Sequence, residues 1–401
     1  MRIFFSVGEP SGDLHAANLI RRLKELEPNV QAVGFGGSKM EAAGCQVLFD
    51  LTSMAVMFIG GAIKNIRTFL RLVKDADKYF SANTVDAVVL IDYPGFNWWI
   101  ARKAKRHGIP VFYYGVPQMW AWAPWRISKI RKFVDHVICK LPFEPKWFND
   151  RGCEAFYVGH PYFDQLHQQQ LDDQFIEQIT AKKQEIVLLL PGSRDQEVKQ
   201  NVDCLLNSAE LIRKSYPDAH FVMGCFNEKH REFVSEQCAS AEVEIYVGRT
   251  QELMATAKTC IACSGSVSLE LLYHRLPSVI VFNVKRWVYL VQGYMLRCKF
   301  ISLPNLMYTD DISRSSRRPY DPDAPDAERV VMPEYLTATD CSPQVAGQIV
   351  RLLESEKIHG EAVDELEKLA AGYALPGATT RAADYIIQNL TGESQVVTRA
   401  A

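Results

Sequence analysis

Pro191-Gly192-Ser193-Arg194 stands directly after the apolar run Ile186–Leu190 and before a helical pattern. Backbone amides at a helix N-terminus, a small hydroxyl and a guanidinium together make a receptor for a diphosphate. The competing reading is a tight turn with a surface arginine. The loop is neither a Walker loop nor G-x-G-x-x-G, which argues against ATPases and simple dehydrogenases. A second turn, Ser264-Gly265-Ser266, repeats the setting between the apolar run Thr259–Cys263 and an apolar helix. Its amides are placed to meet phosphate, and Glu270 to accept hydrogen bonds from sugar hydroxyls, unless Glu270 is simply an exposed helix acid. Ser266 is not read as a hydrolase nucleophile, because the second glycine of G-x-S-x-G is missing.

The first half offers carboxylates instead. Gly8-Glu9-Pro10-Ser11-Gly12-Asp13 follows the apolar run Ile3–Val7 and opens a helix. Asp13 suits a helix N-terminus, where negative charge is stabilised by roughly 0.3–1 kcal/mol; Glu9 and Ser11 have no such structural excuse. Asp92 ends the apolar strand Ala87–Ile91, rigidly held as a general base must be, or else serves as a turn residue ahead of Pro94. Cys260-Ile261-Ala262-Cys263 has no second pair to complete a zinc site and reads as small buried hydrophobes. No metal and no cofactor are expected.

These loops presuppose a scaffold. Short apolar runs, Gly-bearing turns and helical patterns alternate through the first half, at Ile3–Val7, Val30–Phe35, Ala87–Ile91 and Val111–Tyr114. The alternation restarts after the Gln-rich, weakly patterned stretch Gln165–Lys183, which reads as a connector. It continues at Ile186–Leu190, Phe221–Gly224, Glu244–Val247, Thr259–Cys263 and Ser278–Phe282. Strand, turn and helix in repetition specify an α/β chain with parallel sheets. We expect two Rossmann-like, doubly wound domains, residues 1–165 and 166–360, facing an interdomain cleft. Helical stretches over 361–401 are expected to pack back across the junction. Ligands of such sheets bind beyond the carboxyl ends of the strands, where the loops above lie.

Composition narrows the partners. The 401 residues exceed the roughly 150 of a single-domain prior, and 48% hydrophobic with 23% charged residues suits a globular enzyme. A net charge of −2 argues against nucleic acid, whose backbone demands a basic surplus. Residues 61–132 nevertheless hold 13 Lys/Arg against 4 Asp/Glu, which suits an anionic partner or ordinary solvated helix faces. Met54, Val56, Met57, Phe58 and Ile59 form an apolar patch. The helix after it carries Ile63, Ile66, Phe69, Leu70 and Val73 beside Lys64, Arg67, Arg71 and Lys74. That pattern fits either an acidic lipid surface or a core-facing stripe. Lys285-Arg286-Trp287-Val288-Tyr289 through Met295-Leu296-Arg297 is a second candidate of the same kind. Trp120, Trp122 and Trp125 are core or line an acyl or sugar subsite. No apolar run reaches the roughly 18–20 residues of a membrane span. The first residues read as a strand rather than a signal peptide, and ten scattered cysteines form no disulfide framework, so a cytoplasmic protein is expected.

With these loops assembled, the chain resembles the lipid-A-disaccharide synthases, inverting glycosyltransferases of the two-Rossmann GT-B fold. The likeness runs from Ile3 to about residue 305. It is carried by Glu9-Pro10-Ser11-Gly12-Asp13, Ile91-Asp92-Tyr93-Pro94-Gly95-Phe96-Asn97, Val116-Pro117-Gln118-Met119-Trp120-Ala121-Trp122, Leu141-Pro142-Phe143-Glu144 and Val158-Gly159-His160-Pro161. Leu190-Pro191-Gly192-Ser193-Arg194, Ser264-Gly265-Ser266 with Glu270, and Ser302-Leu303-Pro304-Asn305-Leu306 complete it. The resemblance implies transfer of 2,3-diacylglucosamine from its UDP ester to 2,3-diacylglucosamine 1-phosphate, giving a β-1,6-linked disaccharide 1-phosphate and UDP. It assigns Gly192, Ser193, Arg194, Ser264, Gly265, Ser266, Glu270 and Asn305 to the UDP-sugar, and Glu9, Ser11 and Asp92 to the N-terminal catalytic side. Peripheral association with an anionic inner-membrane surface is expected; the sequence leaves the oligomeric state open, a homodimer with exchanged C-terminal helices being one arrangement it allows. Many relatives carry an acid where this chain has Gly95, which leaves Asp92 to take the proton or deprives the missing acid of a catalytic role.

The chemistry fits these residues. A cleft carboxylate can take the acceptor hydroxyl's proton, while helix N-termini and Arg194 stabilise the charge on departing UDP without a metal. Rival readings keep the fold but change the reaction, to a UDP-sugar 2-epimerase or another UDP-sugar transferase. A third is a non-enzymatic sugar-nucleotide or lipid-binding module.

Overall fold

The computed structural model describes residues 1–57, 66–238, 242–315 and 318–392, with backbone alone at 55–57. Two compact units divide the chain: Met1–Asp164 with Leu375–Ala401, and Gln165–Ala374.

The first unit carries a parallel sheet of β1 (Arg2–Val7), β2 (Gln31–Gly36), β3 (Gln46–Asp50), β4 (Ala87–Ile91), β5 (Val111–Tyr114), β6 (His136–Cys139) and β7 (Ala155–Tyr157). Their order is β3-β2-β1-β4-β5-β6-β7. The second unit holds β8 (Ile186–Leu190), β9 (His220–Cys225), β10 (Val243–Val247), β11 (Thr259–Cys263), β12 (Ser278–Asn283) and β13 (Glu334–Thr337), ordered β10-β9-β8-β11-β12-β13. Within both sheets the strand pairings among the described residues are parallel. Ala87–Ile91, Val111–Tyr114 and Ile186–Leu190 are buried at every position. Strands covered by helices on both faces need such continuous apolar runs. Phe4, Leu90 and Tyr113 pack toward one face of the first sheet, while Phe5, Ile91 and Tyr114 pack toward the other.

In each sheet the strand order reverses beside the first strand. The two switch points therefore lie between β1 and β4, and between β8 and β11. A crevice beyond the strand ends opens where neighbouring connections leave to opposite faces.

Two expectations gain detail. Helices Pro161–Gln168 and Asp173–Thr180 occupy most of the connector Gln165–Lys183. Glutamine is a good helix former, and Asp172 caps the second helix by accepting from the Phe175 amide at 3.1 Å. Ile179 is buried and Phe175 meets the Tyr246 ring edge-on. The C-terminal helices divide between the units. Ser342–Glu354 and Glu356–Tyr373 belong to the second unit, whereas Ala378–Thr391 belongs to the first. Asp164 joins that last helix to its own unit, accepting from the amides of Gly377, Ala378 and Thr379 at 2.6–3.1 Å. Arg381 donates to the Val158 carbonyl at 2.7 Å, and Ala382, Ala383 and Ile386 enter the core.

Among the described residues no helix is long and apolar enough to cross a membrane. Phe58, Ile59, Ile63 and Lys64 of the apolar stretch lie outside the described residues, as do the side chains of Val56 and Met57. The following helix Ile66–Ala82 divides its apolar residues. Leu72, Val73, Ala76 and Phe80 are buried, while Ile66 and Leu70 stay 58% and 52% exposed beside Arg67 and Arg71.

Candidate functional site

Asp92 leaves β4 at the first switch point with φ 45°, and Tyr93 follows at φ 43°. Two successive non-glycine residues in the left-handed region cost energy and persist only where their surroundings hold them. The holding groups are visible. The Asp92 carbonyl accepts from Asn97 Nδ2 and from the Tyr113 hydroxyl, both at 2.8 Å. Asn97 is fully buried and also donates to the carbonyls of Ser6 and Ile91, while the Ser6 hydroxyl donates to its Oδ1 at 2.6 Å. One amide thus ties β1, β4 and the helix Pro94–Arg106 behind the Asp92 carboxylate.

The carboxylate itself is about three-quarters covered and lies 3.4 Å from Lys140 Nζ, at the end of β6. Two glycines make room for this pair. A Cβ on Gly115, which has φ +66°, would come within 2.8 Å of Lys140 Nζ and 3.3 Å of Asp92 Oδ1. One on Gly12 would stand 3.7 Å from Asp92 Oδ2, which brings the Glu9–Ser11 turn beside Asp92. Glu9 and Ser11 are exposed there. Asp13 is not available: its buried carboxylate caps the next helix, accepting from Gly37, Lys39 and Met40 amides at 2.9–3.2 Å. His15, two residues on in Asp13's own helix Pro10–Leu26, is pushed down to about 4 by burial and then by the Lys140 charge. Its imidazole is therefore neutral at pH 7.

Two further motifs meet in a support for Lys140. Trp120 is buried and donates its indole N–H to Glu144 Oε1 at 3.0 Å. Glu144 Oε2 accepts from the amides of Lys140 and Leu141 at 3.0 Å, and burial raises its carboxyl above the ordinary value. Trp122 and Trp125 remain 38% and 64% exposed.

At the second switch point the Pro191–Arg194 loop follows β8 and starts the helix Asp195–Ser215. Its amides are not vacant, as the sequence led us to expect. Those of Ser193 and Arg194 donate to Glu197 Oε2 at 3.1 and 3.2 Å, and Arg194 Nη1 donates to Glu197 Oε1 at 2.8 Å. Gly192, at φ +124°, admits this approach, since a Cβ would lie 2.7 Å from that of Glu197. Arg194 is otherwise 82% exposed. Beside this loop the Ser264-Gly265-Ser266 turn leaves β11, with Gly265 and Ser266 exposed. Asn201 joins the two loops, donating to the Glu197 carbonyl at 2.8 Å and to Cys263 Sγ at 3.2 Å.

Glu270 is not an exposed helix acid. It is buried and accepts from Gln251, whose Oε1 faces His274 Nε2 at 2.9 Å. Burial pushes His274 down to about 4. Asn305 is fully buried with its amide engaged: Nδ2 donates to the Met332 carbonyl and Glu334 Oε2, and Oδ1 accepts from the Met332 amide. Glu334, pushed up to about 7 by burial, also accepts from the amides of Ile301 and Ser302. In this arrangement Asn305 braces the loop rather than facing a ligand. The cysteines of the C-x-x-C, Cys260 and Cys263, are buried in β11, and burial pushes the Cys263 thiol up to about 12.

Sequence reasoning missed Lys140, His15, Asn97 as a holding group, Gln251 and Glu197. Asn97 lay within a motif already singled out, and Glu197 only three residues beyond Arg194; Lys140 needed the topology.

Residues 3–316 match the family model described as lipid-A-disaccharide synthetase. The chain belongs to the lipid-A-disaccharide synthase family. A lipid-A-disaccharide synthase of Coxiella burnetii is 32% identical over 316 residues, covering 78% of this chain and 83% of that protein. One of Geobacter sulfurreducens is 30% identical over 396 residues, covering 97% of each. Among solved structures, the UDP-GlcNAc 2-epimerase of Neisseria meningitidis bound to UDP-GlcNAc is similar with a TM-score of 0.62. It is 11% identical and covers 97% of this chain and all of that one, a likeness of fold alone. The fold is of the GT-B class, and the family makes this chain a glycosyltransferase of lipid A biosynthesis. A Cβ on Gly95 would meet nothing within 4 Å.

Proposed function

We propose that Asp92 is the general base of this glycosyl transfer and that the loops after β8 and β11 hold the UDP of the donor. The substrates are UDP-2,3-diacylglucosamine and 2,3-diacylglucosamine 1-phosphate. The carrying observation is topological. In each unit the two loops with chemistry-bearing residues flank the switch point, Glu9–Ser11 with Asp92 in one and Gly192–Arg194 with Ser264–Ser266 in the other.

As the acceptor's 6-hydroxyl attacks the anomeric carbon, its proton passes to the Asp92 carboxylate. Lys140 keeps that carboxylate in place, and Glu9 and Ser11 bind acceptor hydroxyls. Positive charge develops on the transferred sugar, as in glycoside hydrolysis. Negative charge on departing UDP is met by Arg194 and the loop amides, and one displacement inverts the anomeric centre. Glu270, held by Gln251, accepts from sugar hydroxyls of the donor. An epimerase reading gains support only from fold, whereas the 30–33% identical relatives are synthases.

Both substrates are acylated, and we assign two surfaces to an anionic membrane. One is Ile66 and Leu70 with Arg67, Arg71 and Lys74. The other is the helix Arg286–Met295, none of it buried, with Trp287, Leu290 and Tyr294 each about 65% exposed. Lys285, Arg286 and Arg297 flank it. Basic amphipathic helices bind acidic lipid through both terms.

One experiment tests the reaction and the surface. The purified chain is incubated with both acylated sugars on phosphatidylglycerol vesicles, and products are weighed by mass spectrometry. Disaccharide 1-phosphate and UDP are expected, with product yield and vesicle binding falling together when Arg67→Glu and Arg71→Glu are combined. Absence of disaccharide contradicts the reaction; unchanged vesicle binding contradicts the first surface.

A further inference from the structure

The anion receptor at this loop already contains an anion, the Glu197 carboxylate of the helix's own capping box. The Ser193 and Arg194 amides and the Arg194 guanidinium are the donors a diphosphate would use at this loop, and both carboxylate oxygens of Glu197 engage them. Gly192 is shaped to the same guest, since any side chain there would collide with Glu197 before reaching a ligand. We infer that Glu197 is an internal occupant of the diphosphate receptor, displaced when nucleotide binds. The inference rests on assigning the diphosphate to this loop and adds how that site is governed.

The physical reason is exclusion by charge and by donor count. Each amide hydrogen makes one strong bond, and a carboxylate and a phosphate cannot share the same donors without severe like-charge repulsion. Binding therefore exchanges one set of charge-assisted hydrogen bonds for another. Glu197 supplies a local anion that keeps the loop folded when empty and lowers net affinity when nucleotide arrives. Released from Glu197, Arg194 is freed to follow the charge on the leaving group. The purely structural alternative is a helix cap: the acid three residues beyond the N-cap accepts from the N-cap amide, and its loss costs stability alone.

The two roles differ in what they predict for binding: the occupant role predicts a gain in affinity on its removal, the cap role none. UDP affinity and thermal midpoint are measured on the full chain for Glu197→Gln, Glu197→Asp, Asp195→Asn and Arg194→Ala. Glu197→Gln is expected to bind UDP on the order of tenfold more tightly while melting at a lower temperature, because one charge-assisted competitor is gone. Glu197→Asp, a methylene shorter, moves affinity the same way by less. Asp195→Asn is expected to leave UDP affinity unchanged: its carboxylate faces Lys229 and His230 and caps none of the loop amides. Should Glu197→Gln leave UDP affinity equal or weaker while Arg194→Ala weakens it, Glu197 is a cap and the inference falls, with the diphosphate assignment intact. Equal tightening by Asp195→Asn also overturns it, in favour of a general field. If Arg194→Ala leaves UDP binding untouched, the loop assignment itself fails and takes the inference with it.

Discussion

The loops at the two switch points share a topology and differ in what their polar groups are doing. The Asp92 loop directs its internal bonds backwards: Asn97 and Tyr113 donate to the backbone carbonyl, and the carboxylate faces the Lys140 amine 3.4 Å away. The Pro191–Arg194 loop directs its bonds inwards, and Glu197 satisfies the donors that would meet a ligand. A switch point supplies a crevice, but side-chain pairing decides whether the crevice offers a base or a guarded anion receptor. Strain marks the first kind and self-capping the second.

That contrast predicts a split in kinetics. Asp92→Asn keeps shape and volume but cannot take a proton, so kcat should fall by about 10²–10⁴ with UDP affinity unchanged. Steady-state rates beside a UDP titration check it. A parallel loss of UDP binding would mean that the two loops do not divide the work.

A smaller difference is expected on acidification. In the first unit His15 and His160 are held neutral by burial, the former down to about 4. Such groups bind fewer protons folded than unfolded, so their contribution is lost as pH falls from 6.5 toward 4. Glu144, raised by burial, opposes them. In the second unit His274, also near 4, is opposed by Glu334, pushed up to about 7. Glu334 binds more protons folded than unfolded between pH 4.5 and 7, so its contribution grows as pH falls through that window. Hydrogen exchange between pH 7 and 5 should show the first unit losing protection before the second. The reverse order would contradict this balance.

Much of this was legible from residue order. Ala87–Ile91 and Ile186–Leu190 are five-residue apolar runs ending in turns, and no other element fits them as well. Strands β3, β6, β7 and β13 went unread: β3 and β7 have no fully buried position, and β6 and β13 begin with His136 and Glu334 and lack the continuous apolar run that revealed the equally short β5. Asp92, Arg194 and Glu270 were visible because strand ends advertise their loops. Lys140 was not, being 48 residues from Asp92 in the chain and adjacent only through the β4-β5-β6 order. The membership of the helix Ala378–Thr391 depends on Asp164, more than 200 residues earlier. Glu197 was missed for a different reason: an acid in a first helical turn was read as no more than a favourable dipole contact, although an acid at the third helical position can fold back onto the N-cap amide.

The central claim, that the second unit's loops take the diphosphate while Asp92 serves as base, is tested most directly by a crystal structure of the chain soaked in UDP. The account predicts diphosphate density against the Ser193 and Arg194 amides and the Gly265–Ser266 turn, with the Glu197 carboxylate turned away from them. Diphosphate density at the Asp92 loop, with Glu197 still on its amides, would contradict it.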